Sequence, residues 1–213
     1  MGYRGLILDF AGVLATGIPE AIRQWCVGEG LAPDAWHRAL AVDPEGRERY
    51  LALEAGRLTQ AEWNRLTARQ LGLTGCENLM GRAWADVRPA DAVIAVARAA
   101  REAGLTVAML SNSFGLDPYD PYEHVGVWEL FDVAVLSERE GIAKPDPEIY
   151  RLTLERMGLS GEECVFVDDQ AVNLPPAAAL GITTVHADGG PGYVGRLTEL
   201  LGLAPAPGTS RAV

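Results

Sequence analysis

One short stretch near the N-terminus constrains the fold of this chain more than any other. The sequence of Gly5–Leu14 is GLILDFAGVL, so an apolar run of strand-forming residues ends in a carboxylate at Asp9 and continues into the small residues Ala11 and Gly12. Such a run is typical of a strand that is buried on both faces of a parallel sheet. Asp9 is therefore expected at the carboxyl end of a central strand, the edge of an open α/β sheet where ligands bind.

Polar residues stand in the same position after two later strands. The predicted strand 105–110 is followed by Ser111–Asn112, and the predicted strand 164–167 is followed by Asp168–Asp169. In a doubly wound parallel sheet the carboxyl ends of all strands lie on one edge, so these polar side chains and Asp9 should converge on one pocket. Further strands are predicted at 133–136 and 182–185.

The converging side chains have the chemistry of a site for a metal and an anion. Carboxylates crowded at one edge repel one another unless a hard cation such as Mg²⁺ is bound, and Mg²⁺ takes oxygen ligands. A hydroxyl, backbone N–H groups and one ammonium are suited to the oxygens of a phosphoryl group. Lys144 is the only lysine among the 18 lysine and arginine residues, and it precedes Pro145, Asp146 and Pro147 in a turn.

Between the first strand and the rest of the α/β pattern, residues 16–87 have a helical pattern. Helices are predicted to start at Pro19, Pro33 and about Glu45, to follow a Thr59–Glu62 capping box, and to cover 77–85. The α/β pattern then resumes with a helix opened by Pro89. We therefore expect an α/β fold whose Rossmann-like, doubly wound parallel sheet (residues 1–15 and 88–203) carries an inserted all-helical cap (16–87). A disordered tail is expected at 204–213.

Composition limits the partners and the compartment. The formal net charge of -11, from 18 basic and 29 acidic residues, disfavours nucleic acid and anionic membranes as partners. Cys26, Cys76 and Cys164 show no ligand spacing and are expected as buried reduced thiols. Without a signal peptide or an apolar run of about 18 residues, a cytoplasmic protein is expected.

Four motifs in this order resemble the haloacid dehalogenase-like (HAD) hydrolase superfamily across roughly residues 5–200. The resemblance is to the subgroup that carries a helical cap between the first two motifs. After Asn173, the run Leu174–Ala177 and the later Gly181–Thr183 are most similar to the phosphatase domain of soluble epoxide hydrolases and to sugar-phosphate phosphatases. The motifs are Asp9–Leu14, Leu110–Asn112, Lys144–Pro147 and Phe166–Asn173.

The resemblance implies a Mg²⁺-dependent phosphatase of a small phosphorylated metabolite. Asp9 would attack phosphorus and form an aspartyl-phosphate, with Ser111 and Lys144 as the other catalytic residues. Mg²⁺ would be held by Asp9, the backbone carbonyl of Ala11, Asp168 and Asp169, and Asn173 would orient the last motif from behind. The implied phosphate-binding residues are Phe10, Ala11, Ser111, Lys144 and, through its backbone N–H, Asn112.

Ala11 is the one important departure from the family pattern. The common first motif is Asp-x-Asp, in which the second Asp protonates the leaving alkoxide and then activates water, whereas a methyl group transfers no proton. A positioned acid or base contributes about 10²–10⁴-fold to the rate. If the protein is a phosphatase, another group must take this role. Candidates are His37, Glu54, Asp86, Glu123 and His124.

Two other functions stay open on the sequence. Asp9 would attack carbon in a dehalogenase-type hydrolase, which also lacks the second Asp, and Arg38 lies near the position of a halide-binding arginine. That family type has Ser or Asn where this chain has Asp168–Asp169. A phosphometabolite-binding relative that has lost its chemistry would tolerate Ala11, but it would have little need of Asp9.

Overall fold

The computed structural model describes residues 2–190 and 192–203, so the predicted disordered tail lies outside the described residues. Five parallel strands form the main sheet in the order β5-β4-β1-β6-β7, and helices flank it. The predicted α/β fold with a parallel, doubly wound sheet is confirmed. The strands in chain order are β1 (Gly5–Leu8), β2 (Ala15–Thr16), β3 (Arg88–Pro89), β4 (Thr106–Ser111), β5 (Val133–Leu136), β6 (Cys164–Asp168) and β7 (Thr183–His186).

The central strand explains why its sequence is continuously apolar. β1 pairs on one side with β4 and on the other side with β6, and all four of its residues are buried. Leu6 and Leu8 pack into the hydrophobic cluster on one face of the sheet, while Ile7 packs into the cluster on the other face. Because both faces are covered, the strand has no polar side.

Helices form the inserted segment and connect the later strands of the sheet. Residues 17–87, which we call the inserted segment, contain α1 (Ile18–Gly28), α2 (Ala35–His37) with a π-helical turn at Arg38–Val42, α3 (Pro44–Glu54), α4 (Gln60–Leu71) and α5 (Leu79–Ala83). The later helices are α6 (Asp91–Glu102), α7 (Pro121–Val125), α8 (Ser137–Glu140), α9 (Pro147–Met157), α10 (Leu174–Ala178) and α11 (Gly192–Leu200). The predicted capping box is present at the start of α4, where Thr59 accepts from the Glu62 N–H and Glu62 reaches back to the Thr59 N–H.

A two-stranded antiparallel ribbon joins the two ends of the inserted segment. β2 pairs with β3, with Ala15 opposite Pro89 and Thr16 opposite Arg88. The prediction that Pro89 opens a helix is therefore wrong, because Pro89 lies in β3 and α6 begins at Asp91. A short exposed ribbon tolerates a proline that donates no hydrogen bond. The division into an α/β core and a helical cap stays a prediction.

Aromatic residues form much of the interior of the inserted segment. The ring centroids of Trp25 and Trp36 lie 5.4 Å apart and those of Trp36 and Trp63 lie 5.5 Å apart, all in edge-to-face arrangements. Cys26 is buried as a free thiol within the same hydrophobic cluster. Across residues 2–190 and 192–203, no helix combines the length and apolar character needed to cross a bilayer.

Candidate active site

A buried lysine joins two of the strand-end aspartates. Asp9 follows β1 and Asp168 ends β6, so the two neighbouring strands deliver their carboxylates to the same edge of the sheet. The Lys144 Nζ lies 2.7 Å from Asp9 Oδ1 and 2.6 Å from Asp168 Oδ2. The side chains of Lys144, Asp9 and Asp168 are only 1%, 9% and 0% exposed, respectively.

Burial and the neighbouring charges set the protonation of Asp9 and Lys144. The pKa of Asp9 is raised to about 6, because burial, together with the repulsion from Asp168, outweighs the opposing effect of Lys144. Burial of Lys144 disfavours its charge, but the two carboxylates outweigh that effect and raise the pKa of the ammonium. At neutral pH Asp9 is therefore mainly a carboxylate beside a charged lysine, the form needed in a nucleophile.

Hydrogen bonds from the turn that follows β6 hold Asp168. Its Oδ1 accepts from the Gln170 N–H at 2.7 Å, and the Asn173 amide donates to Oδ1 and Oδ2 at 3.0 and 3.1 Å. Behind Asn173, the Tyr150 hydroxyl donates to the Asn173 carbonyl at 2.8 Å. Asn173 therefore touches Asp168 from behind, the position that the resemblance implies for it.

Asn112 fixes the loop that carries the lysine. Its side-chain amide donates to the Lys144 carbonyl at 2.9 Å, and its Oδ1 accepts from the Lys144 N–H at 2.8 Å. The Ser111 hydroxyl, at the end of β4, accepts from Tyr122 at 3.0 Å and is buried. Ser111 therefore retains its own O–H as a donor for another acceptor.

Three carboxylates form a candidate metal centre. One oxygen each of Asp9, Asp168 and Asp169 lie within 4.8 Å of one another. Asp169 is half-buried, and burial raises its pKa. Gly12 has φ +81°, and a Cβ there would lie 2.7 Å from the Asp169 carboxylate carbon, so only glycine leaves this carboxylate in place.

The sequence matches the family described as "Hydrolase: haloacid dehalogenase-like hydrolase" over residues 3–181. This match covers most of the 213 residues and includes all four motifs. The chain belongs to the haloacid dehalogenase-like hydrolase family.

The relatives of this hydrolase include phosphatases and proteins that are much longer than this chain. Sesquiterpene phosphatase astK of Aspergillus oryzae is 26% identical, with the match covering 86% of this chain and 89% of the relative. Bifunctional epoxide hydrolase 2 of Sus scrofa is 27% identical over 87% of this chain and 36% of the relative. Acyl-CoA dehydrogenase family member 10 of Mus musculus is 42% identical over 48% of this chain and 9% of the relative. The chain thus spans less than half the length of two of these three relatives.

A solved structure of a HAD family enzyme resembles this hydrolase over most of its length. The enzyme comes from Bacteroides thetaiotaomicron and was crystallised as a magnesium complex. It is 25% identical, with a TM-score of 0.68 and coverage of 87% of this chain and 93% of its own.

Asp9, Lys144, Asp168 and Asp169 lie close together, as predicted, whereas other predicted site residues make contacts that the sequence did not indicate. The side chain of Asn112 binds the Lys144 backbone, whereas the resemblance assigns only its N–H to phosphate. Phe10 is buried, with its ring 4.5 Å from that of Tyr122, and Ala11 is half-buried and bridged to Ala15. Arg38 is exposed and lines a pocket of about 400 Å³ to which none of the three clustered aspartates contributes.

Some contacts at the site carry no signal in the sequence. Gln170 binds both Asp168, through its N–H, and Asp169, through its side-chain amide at 2.8 Å. Tyr122 reaches Ser111 from α7, 11 residues further along the chain. No strand-end pattern marks either residue, because each reaches the site through the path of a loop or short helix.

Proposed function

We propose that this hydrolase is a Mg²⁺-dependent phosphatase of a small phosphorylated metabolite and that Asp9 is its nucleophile. The observation that carries the proposal is the buried Lys144 between Asp9 and Asp168, with Asp169 beside them. A buried cation and several carboxylates at the end of a parallel sheet provide a nucleophile, a metal site and charge neutralisation in one place. The phosphatase relative that matches 89% of its own length supports this reaction class.

In the proposed reaction Asp9 attacks phosphorus, the bond from phosphorus to the leaving oxygen breaks, and an aspartyl-phosphate forms. Lys144 neutralises part of the charge on Asp9 and on the phosphoryl oxygens. The Ser111 hydroxyl and the Asn112 N–H donate to phosphoryl oxygens, and the backbone at Phe10 and Ala11 lines the same position. Water then displaces Asp9 from phosphorus and releases inorganic phosphate.

The donor set fits Mg²⁺, since Asp9, Asp168 and Asp169 offer hard carboxylate oxygens close together. The Ala11 carbonyl is the proposed backbone ligand. When bound, Mg²⁺ would neutralise charge on the phosphoryl group and on the carboxylates around it. Asn173 and Gln170 would keep Asp168 in position through the hydrogen bonds described above.

Attack on carbon is the less favoured alternative. Three carboxylates close together suit a divalent cation, which would neutralise the charge of a phosphoryl group, and the dehalogenase type has Ser or Asn in place of Asp168–Asp169. Arg38, the residue that first suggested a halide site, is exposed.

We further propose a reducing compartment such as the cytoplasm, since Cys26, Cys76 and Cys164 are all free thiols.

The test is phosphate release from sugar, nucleotide, acyl and aryl phosphates, with and without Mg²⁺. Asp9→Asn should abolish release, and the matched exposed variant Asp91→Asn on α6 should not change it. No release by wild-type protein that is folded and binds Mg²⁺ would refute the proposal. Release that survives Asp9→Asn would refute the role of Asp9.

A further inference from the structure

The inserted segment brings one more acidic side chain towards the site. Four of the five candidates for the role lost at Ala11 (His37, Asp86, Glu123 and His124) are exposed. Glu54 differs from them, because it is half-buried at the last residue of α3.

The end of α3 is anchored to α8, the short helix that follows β5. The hydroxyl of Ser137, the first residue of α8, donates to the Glu54 carbonyl at 2.5 Å and accepts from the Ser113 N–H at 2.9 Å. Two residues past α3, a Cβ at Gly56 would lie 2.1 Å from the Glu138 carbonyl, so the two backbones are in direct contact. Ser137 therefore links the backbone of Glu54 to the loop that follows Ser111.

Two charged groups of the site, Lys144 and Asp9, act electrostatically on the Glu54 carboxyl. The pKa of Glu54 is raised to about 7, because burial, together with Asp9, outweighs the lowering by Lys144 and by a hydrogen bond from Tyr50. Tyr50 is one helical turn before Glu54 on α3, and burial together with Glu54 raises the pKa of its hydroxyl, which stays protonated. A carboxyl group that loses its proton near neutral pH is suited to act as both acid and base.

We propose that Glu54 is the general acid and base of this enzyme and replaces the carboxyl group that Ala11 lacks. The inference rests on the proposed phosphatase function. While Asp9 attacks phosphorus, the Glu54 carboxyl gives its proton to the departing oxygen, which leaves as an alcohol. The Glu54 carboxylate then takes a proton from the water that attacks the aspartyl-phosphate. Phosphate leaves, Asp9 regains its carboxylate, and Glu54 is again protonated.

The test compares Glu54→Gln with Glu48→Gln, the same change at an exposed position of the same helix. Two substrates separate the steps, because p-nitrophenyl phosphate has a leaving group that needs no proton and glycerol phosphate has one that does. With glycerol phosphate, Glu54→Gln should lower kcat by about 10²–10⁴-fold. With p-nitrophenyl phosphate, it should release nitrophenol in a stoichiometric burst and then turn over slowly, because the aspartyl-phosphate accumulates.

A double variant separates lost chemistry from lost structure. Ala11→Asp restores a carboxyl group at the family position, so it should recover much of the turnover lost in Glu54→Gln. A merely structural effect of Glu54→Gln would not be recovered in this way. Glu54→Asp, which keeps the acid on a shorter side chain, should retain part of the activity.

The outcomes distinguish the two proposals. Asp9-dependent release by wild type, with Glu54→Gln as active as Glu48→Gln on both esters, overturns the role of Glu54 alone. Loss without a burst, and without recovery by Ala11→Asp, also overturns it. Absence of Asp9-dependent release from wild type overturns the phosphatase proposal and this inference with it.

Discussion

Replacing Lys144 with methionine should destabilise the protein in a way that depends on pH. The Lys144 ammonium lies within 2.7 Å of one Asp9 oxygen and 2.6 Å of one Asp168 oxygen, and all three side chains are nearly inaccessible to water. Removing one partner of a buried ion pair leaves an uncompensated charge and costs about 3–5 kcal/mol. Here a single substitution leaves two carboxylates without their cation, so we expect a loss at the upper end of that range at neutral pH.

The sign of the pH dependence follows from the two carboxylates. Without Lys144, burial and mutual repulsion raise the native pKa of Asp9 further above its unfolded value of 3.8. A raised native pKa gives stability that is present below the unfolded pKa and is lost as pH rises through the native pKa. Lys144→Met should therefore cost less at about pH 5 than at about pH 8, because protonation removes the unpaired charge.

Urea unfolding followed by circular dichroism, in the presence of a chelator, measures the free energy of unfolding of Lys144→Met and of wild type at about pH 5 and at about pH 8. Arg151→Met, on an arginine of α9 that is 53% exposed and paired only with Glu148 among the described residues, is the control and should change the free energy of unfolding by less than about 0.5 kcal/mol. A loss in Lys144→Met that is equal at both pH values, or no larger than that of Arg151→Met, would refute this account of the charges.

Three further outcomes follow from the geometry. Mg²⁺ should raise the unfolding temperature of the wild type in differential scanning fluorimetry and should have no such effect on Asp168→Asn, which lacks one metal ligand. Gly12→Ala should weaken Mg²⁺ binding by about 10-fold or more in isothermal titration, because the new Cβ displaces the Asp169 carboxylate. Gly30→Ala is the control for backbone strain alone, because Gly30 has φ +75° and a Cβ there would have no atom within 4 Å. The raised pKa of Glu54, about 7 against 4.5, means that wild type loses stability as pH rises through this window. Urea unfolding should therefore show Glu54→Gln more stable than wild type by about 1–3 kcal/mol at about pH 8 and equal to it near pH 4; equal stability at both pH values would contradict the shift.

The sheet was predictable because burial on both faces leaves a strong sequence signal. β1 and β6 are continuous apolar runs that end in a carboxylate, and parallel connectivity brings such ends to one edge whatever lies between them. The start of α4 was equally accessible, since the Thr59–Glu62 capping box uses only contacts within one turn.

The remaining features depend on contacts between distant segments. Pro89 suits the first turn of a helix equally well, and only its pairing with Ala15 places it in a strand. The environment of Glu54 arises because α3 is fixed to Ser137, more than 80 residues away, so no local pattern separates Glu54 from the exposed Glu48 on the same helix.

The central claim is that Asp9 becomes covalently phosphorylated during turnover. Rapid quenching of the Mg²⁺-loaded protein with a phosphate ester, followed by mass spectrometry of the peptide that contains Asp9, tests this claim directly. We expect one added phosphoryl group on Asp9 in the wild type, more of it in Glu54→Gln, and none in Asp9→Asn. Turnover of the ester with Asp9 unmodified at every quench time would contradict it.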